Sequence, residues 1–246
     1  MTGSTFRNWL GIDFVRIPPG TGSMGAPDED PDAEDNERPR HDVHIEHGFW
    51  MATTPVTLGQ YRRFETPEPR PHLALEDRQA VNYVSWRDAD RYIAWLNAQS
   101  PATESNCTYR LPTENEWEYA CRAGSTGRFH YGDDPDYTQL DYYAWYCTNS
   151  WDAGIRYPRD VATKSPNVFG LYDMHGNVWE WTSDGWADYA EIVRLGESIR
   201  STHTRVLRGG AFCHEPRYIR ASDRDHYEPD YRHYYTGFRL CLDRTA

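Results

Sequence analysis

The densest group of side chains able to do chemistry lies between positions 213 and 235. This segment is rich in Tyr, His, Asp and Arg, in clusters such as Asp225-His226-Tyr227 and His233-Tyr234-Tyr235. No apolar period of 2 or 3.6 residues runs through these clusters, so they do not form one face of a core strand or helix. Large rings with polar tips are typical of a contact surface. The candidate ligand-binding residues are Cys213, His214, Arg217, Tyr218, Asp223, Asp225, His226, Tyr227, Tyr231, His233, Tyr234 and Tyr235.

The same segment offers a second kind of chemistry. It contains imidazole and thiol groups, which are ligands for transition metals. A metal-dependent oxidation is therefore the alternative function, although spacing along the chain does not show whether these side chains converge. The candidate metal ligands are Cys213, His214, His226 and His233.

Residues on either side of this segment look structural. Arg205–Arg208 is predicted to be a strand, and Gly209-Gly210 predicts a close approach of two backbones. Gly237–Leu240 is predicted to be a closing strand. If the residues between them are exposed on one face, truncating a tyrosine there should cost about 0.5 kcal/mol or less.

Two other groups of titratable residues have simpler explanations. The acidic run from 28 to 37 is predicted to be a solvated loop, with a cation-binding loop as the alternative. His41, His44 and His47 are three residues apart, and in an extended segment such residues point to opposite faces. They are not predicted to share a metal ion.

Composition limits the possible functions. With 26 basic and 38 acidic residues the net charge is -12, which argues against nucleic acid as a partner. Aromatic residues make up 15% of the chain, so the core is predicted to be built largely from rings. No signal-peptide pattern and no window approaching 18 apolar residues is present, which predicts a cytoplasmic protein without a membrane partner. The five cysteines form no CxxC pair and are expected to be reduced thiols.

Local signals predict a few short elements. Thr113 and Glu116 form a capping box, and Glu116 and Glu118 are assigned to capping and surface solvation rather than to acid–base catalysis. Helices are predicted over 57–64, 85–100 and 113–124, and further strands over 14–17 and 43–50.

The stretch from 169 to 181 combines core anchors with oxygen ligands. Val178 and the two tryptophans that follow it are predicted to face the core. Asp173 and Glu180, with Asn177 and backbone carbonyls between them, supply the hard oxygen ligands that Ca²⁺ takes.

Six motifs run in order over about 14–243. They are PVT at 55–57, NYVSW at 82–86, RLPTENEWEYA at 110–120, GLYDMHGNVWEW at 170–181, RGG at 208–210 and GFR at 237–239. As a set they resemble the formylglycine-generating-enzyme (sulfatase-modifying-factor) family. The resemblance implies a single domain over 1–246 with an α+β, C-type-lectin-like fold of the formylglycine-generating-enzyme type, in which helices and strands are few and short and much of the chain is irregular.

The resemblance also bears on activity. Oxidising members of the family bind copper through two cysteines after the Gly-Gly pair and have a serine directly after that pair. Here Cys213 lies near the first cysteine position, Tyr218 stands where the second is expected, and Ala211 replaces the serine. Formylglycine formation and bound copper are therefore not expected. The iron-binding members that make sulfoxides have an additional His-bearing helical domain, for which this chain has no room.

For calcium, the resemblance implies one structural site. It would use the Asp173 and Glu180 carboxylates and the backbone carbonyls of Gly176 and Val178. A second family site, between Asn149 and Lys164, is poorly matched and stays open.

The C-terminal segment also resembles the variable proteins of diversity-generating retroelements, which use the same fold. In those proteins template adenines are mutated, mostly in Asn codons ending in a pyrimidine. Every candidate ligand-binding residue above has a codon that can be reached from an Asn codon by changing its two adenines. Lys, Gln, Met and Trp, which cannot be reached, are absent from 205–240. The sequence thus favours a scaffold that displays 205–240 as a variable segment to a protein ligand, with the metal-dependent oxidoreductase as the alternative.

Overall fold

The chain folds into short helices and strands joined by long irregular segments. The computed structural model describes residues 4–196, 200–201 and 203–244. The strands are β1 (Thr5–Arg7), β2 (Asp13–Ile17), β3 (Gly20–Met24), β4 (His41–Ile45), β5 (Phe49–Ala52), β6 (Cys107–Arg110), β7 (Trp179–Gly185), β8 (Arg205–Arg208), β9 (Arg224–Tyr227), β10 (Thr236–Gly237) and β11 (Cys241–Arg244). The α-helices are α1 (Leu58–Tyr61), α2 (Trp86–Gln99), α3 (Glu114–Arg122) and α4 (Tyr189–Leu195). The predicted α+β class with few short elements is confirmed.

Among the described residues, these strands form three sheets. The largest is antiparallel and runs β1-β2-β5-β11-β6, so the last strand of the chain lies between two early ones. A second sheet runs β10-β7-β8-β9, with β10 parallel to β7. The strands β3 and β4 form a separate ribbon. The second sheet holds the candidate binding residues between 213 and 235 in place. The strand β8 precedes them, β9 lies among them and β10 follows them.

The helices begin where the capping signals predicted. Thr57, Ser85 and Thr113 each accept a hydrogen bond from the backbone N–H three residues later, and each belongs to a complete capping box. These boxes satisfy backbone donors that the first helical turn leaves without a partner. The first helix is shorter than predicted and ends at Tyr61.

Aromatic side chains fill much of the core, as the composition predicted. Tyr61 stacks on Tyr92 with ring centroids 5.5 Å apart, and the edge of Phe238 approaches both rings. Trp181 is completely buried, and its indole N–H donates to the backbone oxygen of Val84 at 2.8 Å. These rings join α1 and α2 to the sheet that supports the candidate binding segment.

Two predicted strands differ from the structure. The stretch predicted as one strand over 43–50 is interrupted, because β4 ends at Ile45 and β5 begins at Phe49. Gly48 lies at this break, where an added Cβ would come within 2.7 Å of the Ile17 oxygen. The closing strand also falls later than predicted, since most of it is β11. Alternation of apolar residues does not reveal such breaks.

The predicted close approach at Gly209-Gly210 is confirmed. Gly209 has a φ of +93° and Gly210 a φ of +70°, a conformation that favours glycine. A Cβ on Gly209 would lie 2.9 Å from the Trp117 ring, and one on Gly210 would lie 2.3 Å from the Tyr218 backbone oxygen. The turn after β8 therefore needs both glycines.

All five cysteines are free thiols. Within the described ranges, no helix combines the length and apolar composition that crossing a membrane requires.

Candidate ligand-binding face

A continuous set of aromatic rings lies on the C-terminal segment. Tyr227 stacks on Tyr231 at 3.9 Å between centroids, and the Tyr231 hydroxyl lies 2.9 Å from that of Tyr235. His233 packs against both Tyr234 and Tyr235, at 4.2 and 3.9 Å. We call this set the aromatic face. Its rings are those of His214, Tyr218, Tyr227, Tyr231, His233, Tyr234 and Tyr235, together with His72 and Trp151 described next. The Cys213 thiol, which lies beside His214, is included in the face.

Two rings from distant parts of the sequence extend the aromatic face. Trp151 stacks on Tyr234 at 5.5 Å, and His72 contacts both of these rings at 5.1 and 5.3 Å. Asn82 fixes this junction, because its side-chain amide donates to the backbone oxygens of His72 and Tyr234. Sequence reasoning missed His72 and Trp151, since they lie on irregular segments far from the C-terminal clusters.

Buried arginines hold the segment from beneath. Arg224 donates to both carboxylate oxygens of Glu114 at 2.8 and 2.9 Å, and Arg208 donates to Glu118. Arg208 also donates to three successive backbone oxygens of the segment at 2.7–2.9 Å. We call the four buried arginines of this segment the framework arginines. They are Arg208, Arg220, Arg224 and Arg239.

The carboxylates in this network are buried, and Glu114 is ionised despite its burial. Burial alone would raise the pKa of Glu114, but Arg224, Arg208 and Arg200 together lower it to about 2. Glu118 is fully buried and pairs with Arg122 as well as with Arg208. Its predicted role in surface solvation was therefore wrong, although the capping role of Glu116 is confirmed.

The acidic run from 28 to 37 folds onto one framework arginine. Arg220 donates to both oxygens of Glu37 at 2.7 Å and to Asp30 at 2.9 Å, and both acids are buried. The loop is therefore not wholly solvated. It is not arranged as a cation-binding loop either, because the Arg220 guanidinium supplies the positive charge. These ion pairs attach the binding segment to the rest of the domain.

The predicted binding residues divide into several environments. The rings of the aromatic face are half-buried and several of them pack on the core, so they are less exposed than predicted. Asp223 is buried beside Arg220, and burial raises its pKa well above the ordinary value, so it lies outside the contact surface. Arg217 is exposed over the Tyr218 ring at 4.6 Å. Asp225 lies next to Tyr227 at the end of the face, whereas His226 stacks on Trp186 at 4.1 Å.

His214 connects the aromatic face to the core. The indole N–H of Trp179, a nearly buried residue of β7, donates to His214 Nδ1 at 3.2 Å. An indole N–H is a donor only, so Nδ1 must lack a proton. Burial, with His233 nearby, lowers the pKa of His214 to about 4. The imidazole is therefore neutral near pH 7.

The alternative metal site is not assembled from the predicted ligands. Cys213 Sγ lies 3.9 Å from His214 Nδ1, but that nitrogen already accepts from Trp179. His226 lies apart, against Trp186. Burial raises the pKa of the Cys213 thiol to about 12, which disfavours the thiolate that binds soft metals. In the part of the chain that the structure describes, no group of three or more His, Cys, Asp or Glu residues could hold a metal ion.

The predicted calcium ligands do not fit the ion as a set. Both Glu180 oxygens accept hydrogen bonds from Arg239, at 2.6 and 2.7 Å, and Trp117 donates to one of them at 2.7 Å. Both Glu180 oxygens that would bind the metal ion are therefore already paired with the Arg239 guanidinium. Asp173 is buried, and burial raises its pKa to about 6 while the Ala162 N–H donates to it at 2.9 Å. A calcium ion held by the backbone carbonyls of Gly176 and Val178 would therefore lack the Glu180 carboxylate that the predicted site includes.

The less well matched site between 149 and 164 is arranged around Asp141. Asn149 donates to the Asp141 carboxylate at 3.0 Å, and the Lys164 ammonium donates to the Asp141 backbone oxygen. Lys164 also lies 4.0 Å from the Trp145 ring centre. A side-chain cation thus already occupies this region.

Short elements, long packed loops and an aromatic C-terminal face place this chain among proteins with a C-type-lectin-like fold. The family model for the sulfatase-modifying factor enzyme 1-like domain matches residues 7–244, and the chain belongs to this family. Formylglycine-generating enzyme of Bos taurus is 35% identical over 207 residues, which are 79% of this chain and 51% of that protein. The chain thus spans about half the length of this relative.

Solved structures confirm the fold. PvdO from Pseudomonas aeruginosa superposes with a TM-score of 0.84 at 27% identity, over 99% of both chains. Treponema denticola variable protein 1 superposes with a TM-score of 0.74 at 22% identity, over the whole of both chains. The second likeness shows a shared fold alone.

Proposed function

We propose that this chain is a ligand-binding protein that holds a protein partner on its aromatic face. The observation behind this proposal is the continuous set of half-buried rings from Tyr227 to Trp151, fixed from beneath by the framework arginines. Tyrosine offers a large contact area at low entropic cost, and its hydroxyl gives direction to the contact. Rigid rings of this kind provide much of the binding energy at protein interfaces.

The narrower proposal is that 205–240 is a variable segment of the kind written by diversity-generating retroelements. Its support is a division within 205–240 between buried framework arginines and half-buried residues of the aromatic face. The codons of the face residues in this segment can all be reached by adenine mutagenesis. A protein described as a variable protein shares the fold, at an identity that speaks for the fold alone. A reverse-transcriptase gene beside this gene, with a near-copy of the codons for 205–240, is the observation that tests this proposal. An isolated gene without such a copy would contradict it.

Selection from a displayed library of small folded proteins tests the binding function. We expect selected binders to lose affinity at least tenfold when Tyr227 and Tyr235 are replaced by Ala. Tyr142→Ala is the matched control, because Tyr142 is 68% exposed and lies outside the aromatic face. Near-UV circular dichroism checks that each variant is folded. If no selected binder distinguishes the face variant from the control, the proposed function is wrong.

The metal-dependent oxidoreductase is the second candidate, and the 35% identity to bovine formylglycine-generating enzyme favours it. An aldehyde assay on a cysteine-containing sulfatase peptide with added copper separates the two functions. We expect no turnover, because the Cys213 pKa is raised and Tyr218 stands at the second cysteine position. Turnover that disappears in Cys213→Ser would establish the enzyme instead.

A further inference from the structure

Charge is unevenly distributed around the aromatic face. Several arginines on its rim are neutralised by acids of this same chain. The pairs are Arg217 with Glu215 at 3.2 Å, Arg87 with Asp230 at 3.1 Å and Arg232 with Asp88 at 2.6 Å. These arginines therefore add little positive charge to the surface.

Two carboxylates beside Tyr227 lack such partners. Neither Asp225 nor Glu228 forms an ion pair with an arginine or lysine among the described residues. Asp225 accepts the His226 backbone N–H at 2.7 Å, and Glu228 is exposed. Burial and the neighbouring Asp225 charge raise the pKa of Tyr227 to about 12. Arg205 is the strand neighbour of Tyr227, but its guanidinium lies over the Trp86 ring at 4.6 Å. The two carboxylates therefore outnumber this cation at this end of the face.

The rings at the two ends of the aromatic face also differ. At one end Arg156 lies 5.2 Å from the centre of the Trp151 ring. Beside His214, Arg217 lies 4.6 Å from the centre of the Tyr218 ring. At the other end the stacked Tyr227–Tyr231 pair has no guanidinium or ammonium over it, within the described residues. The chain thus supplies its own cations to some rings and leaves this pair without one.

We infer that the protein partner presents an arginine or lysine side chain to the Tyr227–Tyr231 pair, where Asp225 and Glu228 complement its charge. This inference rests on the proposed function. A cation over a ring and an ion pair reinforce each other at one place. Arginine suits the site better than lysine, because its planar guanidinium can stack on a ring and pair with a carboxylate at once. The net charge of -12 would also steer a basic partner toward the chain.

A random dodecapeptide library displayed on phage provides the test. Clones are kept when they bind the parent chain and lose binding on Tyr227→Ala. We expect these clones to be enriched in arginine, and to a smaller extent in lysine. We also expect their affinity to fall by about tenfold when Asp225→Asn and Glu228→Gln are combined. The Asn side chain can still accept the His226 N–H, so this variant should fold normally.

The control makes the same charge change elsewhere. Glu46→Gln combined with Asp136→Asn removes two exposed carboxylates outside the aromatic face and should leave affinity unchanged. Face-dependent clones without arginine or lysine enrichment would overturn the inference but leave the binding function intact. Equal loss of affinity in both double variants would also overturn it, because the attraction would then be non-specific. If no clone distinguishes Tyr227→Ala from the parent, both the inference and the proposed function fail.

Discussion

The framework arginines and the aromatic face belong to the same segment, but they are held in opposite ways. Each framework arginine is buried and bound to a carboxylate far away in the sequence, such as Glu37 for Arg220. The face rings are half-buried and make many of their ring contacts with one another. Distant ion pairs therefore fix the path of the backbone, while neighbouring rings fill the surface. Such a division would allow the face to change without loss of the fold.

The largest effect should come from breaking the buried network. Glu118→Ala would remove the carboxylate that pairs with the buried Arg122 and Arg208, and Arg208 would keep only Glu114 at 3.9 Å. We expect the free energy of unfolding to fall by about 3–5 kcal/mol, measured by urea titration. Glu46→Ala, at an exposed site, should cost about 0.5 kcal/mol or less. A loss below about 1 kcal/mol for Glu118→Ala would mean that the network does not fix the backbone.

The variant Asp173→Asn distinguishes a domain that binds no calcium at this site from one that does. The Asp173 pKa of about 6 exceeds the ordinary value of 3.8, so its charge opposes folding at pH 7.5. Asp173→Asn should then stabilise the domain by about 1–3 kcal/mol, and the gain should decrease as the pH falls from about 6 toward 3.8. Asparagine also tolerates the φ of +57° at this position.

Removal of calcium by a chelator tests the same question. Because Arg239 occupies Glu180, we expect EDTA to leave the melting temperature unchanged. A melting temperature that falls with EDTA, together with a destabilised Asp173→Asn variant, would show that calcium binds despite the Arg239–Glu180 pair.

The contribution of His214 to the stability of the domain should depend on pH. His214 has a pKa of about 4 in the folded chain against 6.5 for an ordinary histidine, so the unfolded chain binds more protons between these values. Its contribution to stability is complete above pH 6.5 and is lost as the pH decreases toward 4. In His214→Asn the slope of unfolding free energy against pH should decrease by up to about 1.4 kcal/mol per pH unit. An unchanged slope would mean that His214 does not titrate in this window.

His214→Asn also keeps the contact that His214 makes with the core. The Asn oxygen can accept the Trp179 N–H in place of Nδ1, so stability at pH 7.5 should stay close to that of the parent.

Local signals in the sequence predicted the scaffold better than the surface. The helix starts at Ser85 and Thr113 and the glycine pair at 209–210 depend on neighbouring residues, so pattern reasoning found them. The burial of Glu118 and Asp223 depends on arginines brought close by the fold, and no periodicity reveals such pairs. Glu118 and Asp223 were therefore predicted to lie at the surface.

The candidate site was predicted in part for the same reason. The tyrosine and histidine clusters were visible as a change in composition, and most of them lie together. Half-burial was not visible, because it depends on how these rings pack on the core and on one another. His72 and Trp151 joined the face through loops whose course no local pattern predicts.

The most direct test of the account compares Tyr227→Ala and Tyr235→Ala with Arg224→Met by urea titration. We expect a loss of about 1 kcal/mol for each tyrosine, because each ring is half-buried and its removal leaves no closed cavity. We expect a loss of about 3–5 kcal/mol for the arginine, because its removal leaves the buried Glu114 carboxylate with one partner fewer. If each tyrosine instead costs about 3–5 kcal/mol, as buried aromatic residues do, the rings belong to the core and the aromatic face is not separable from the fold.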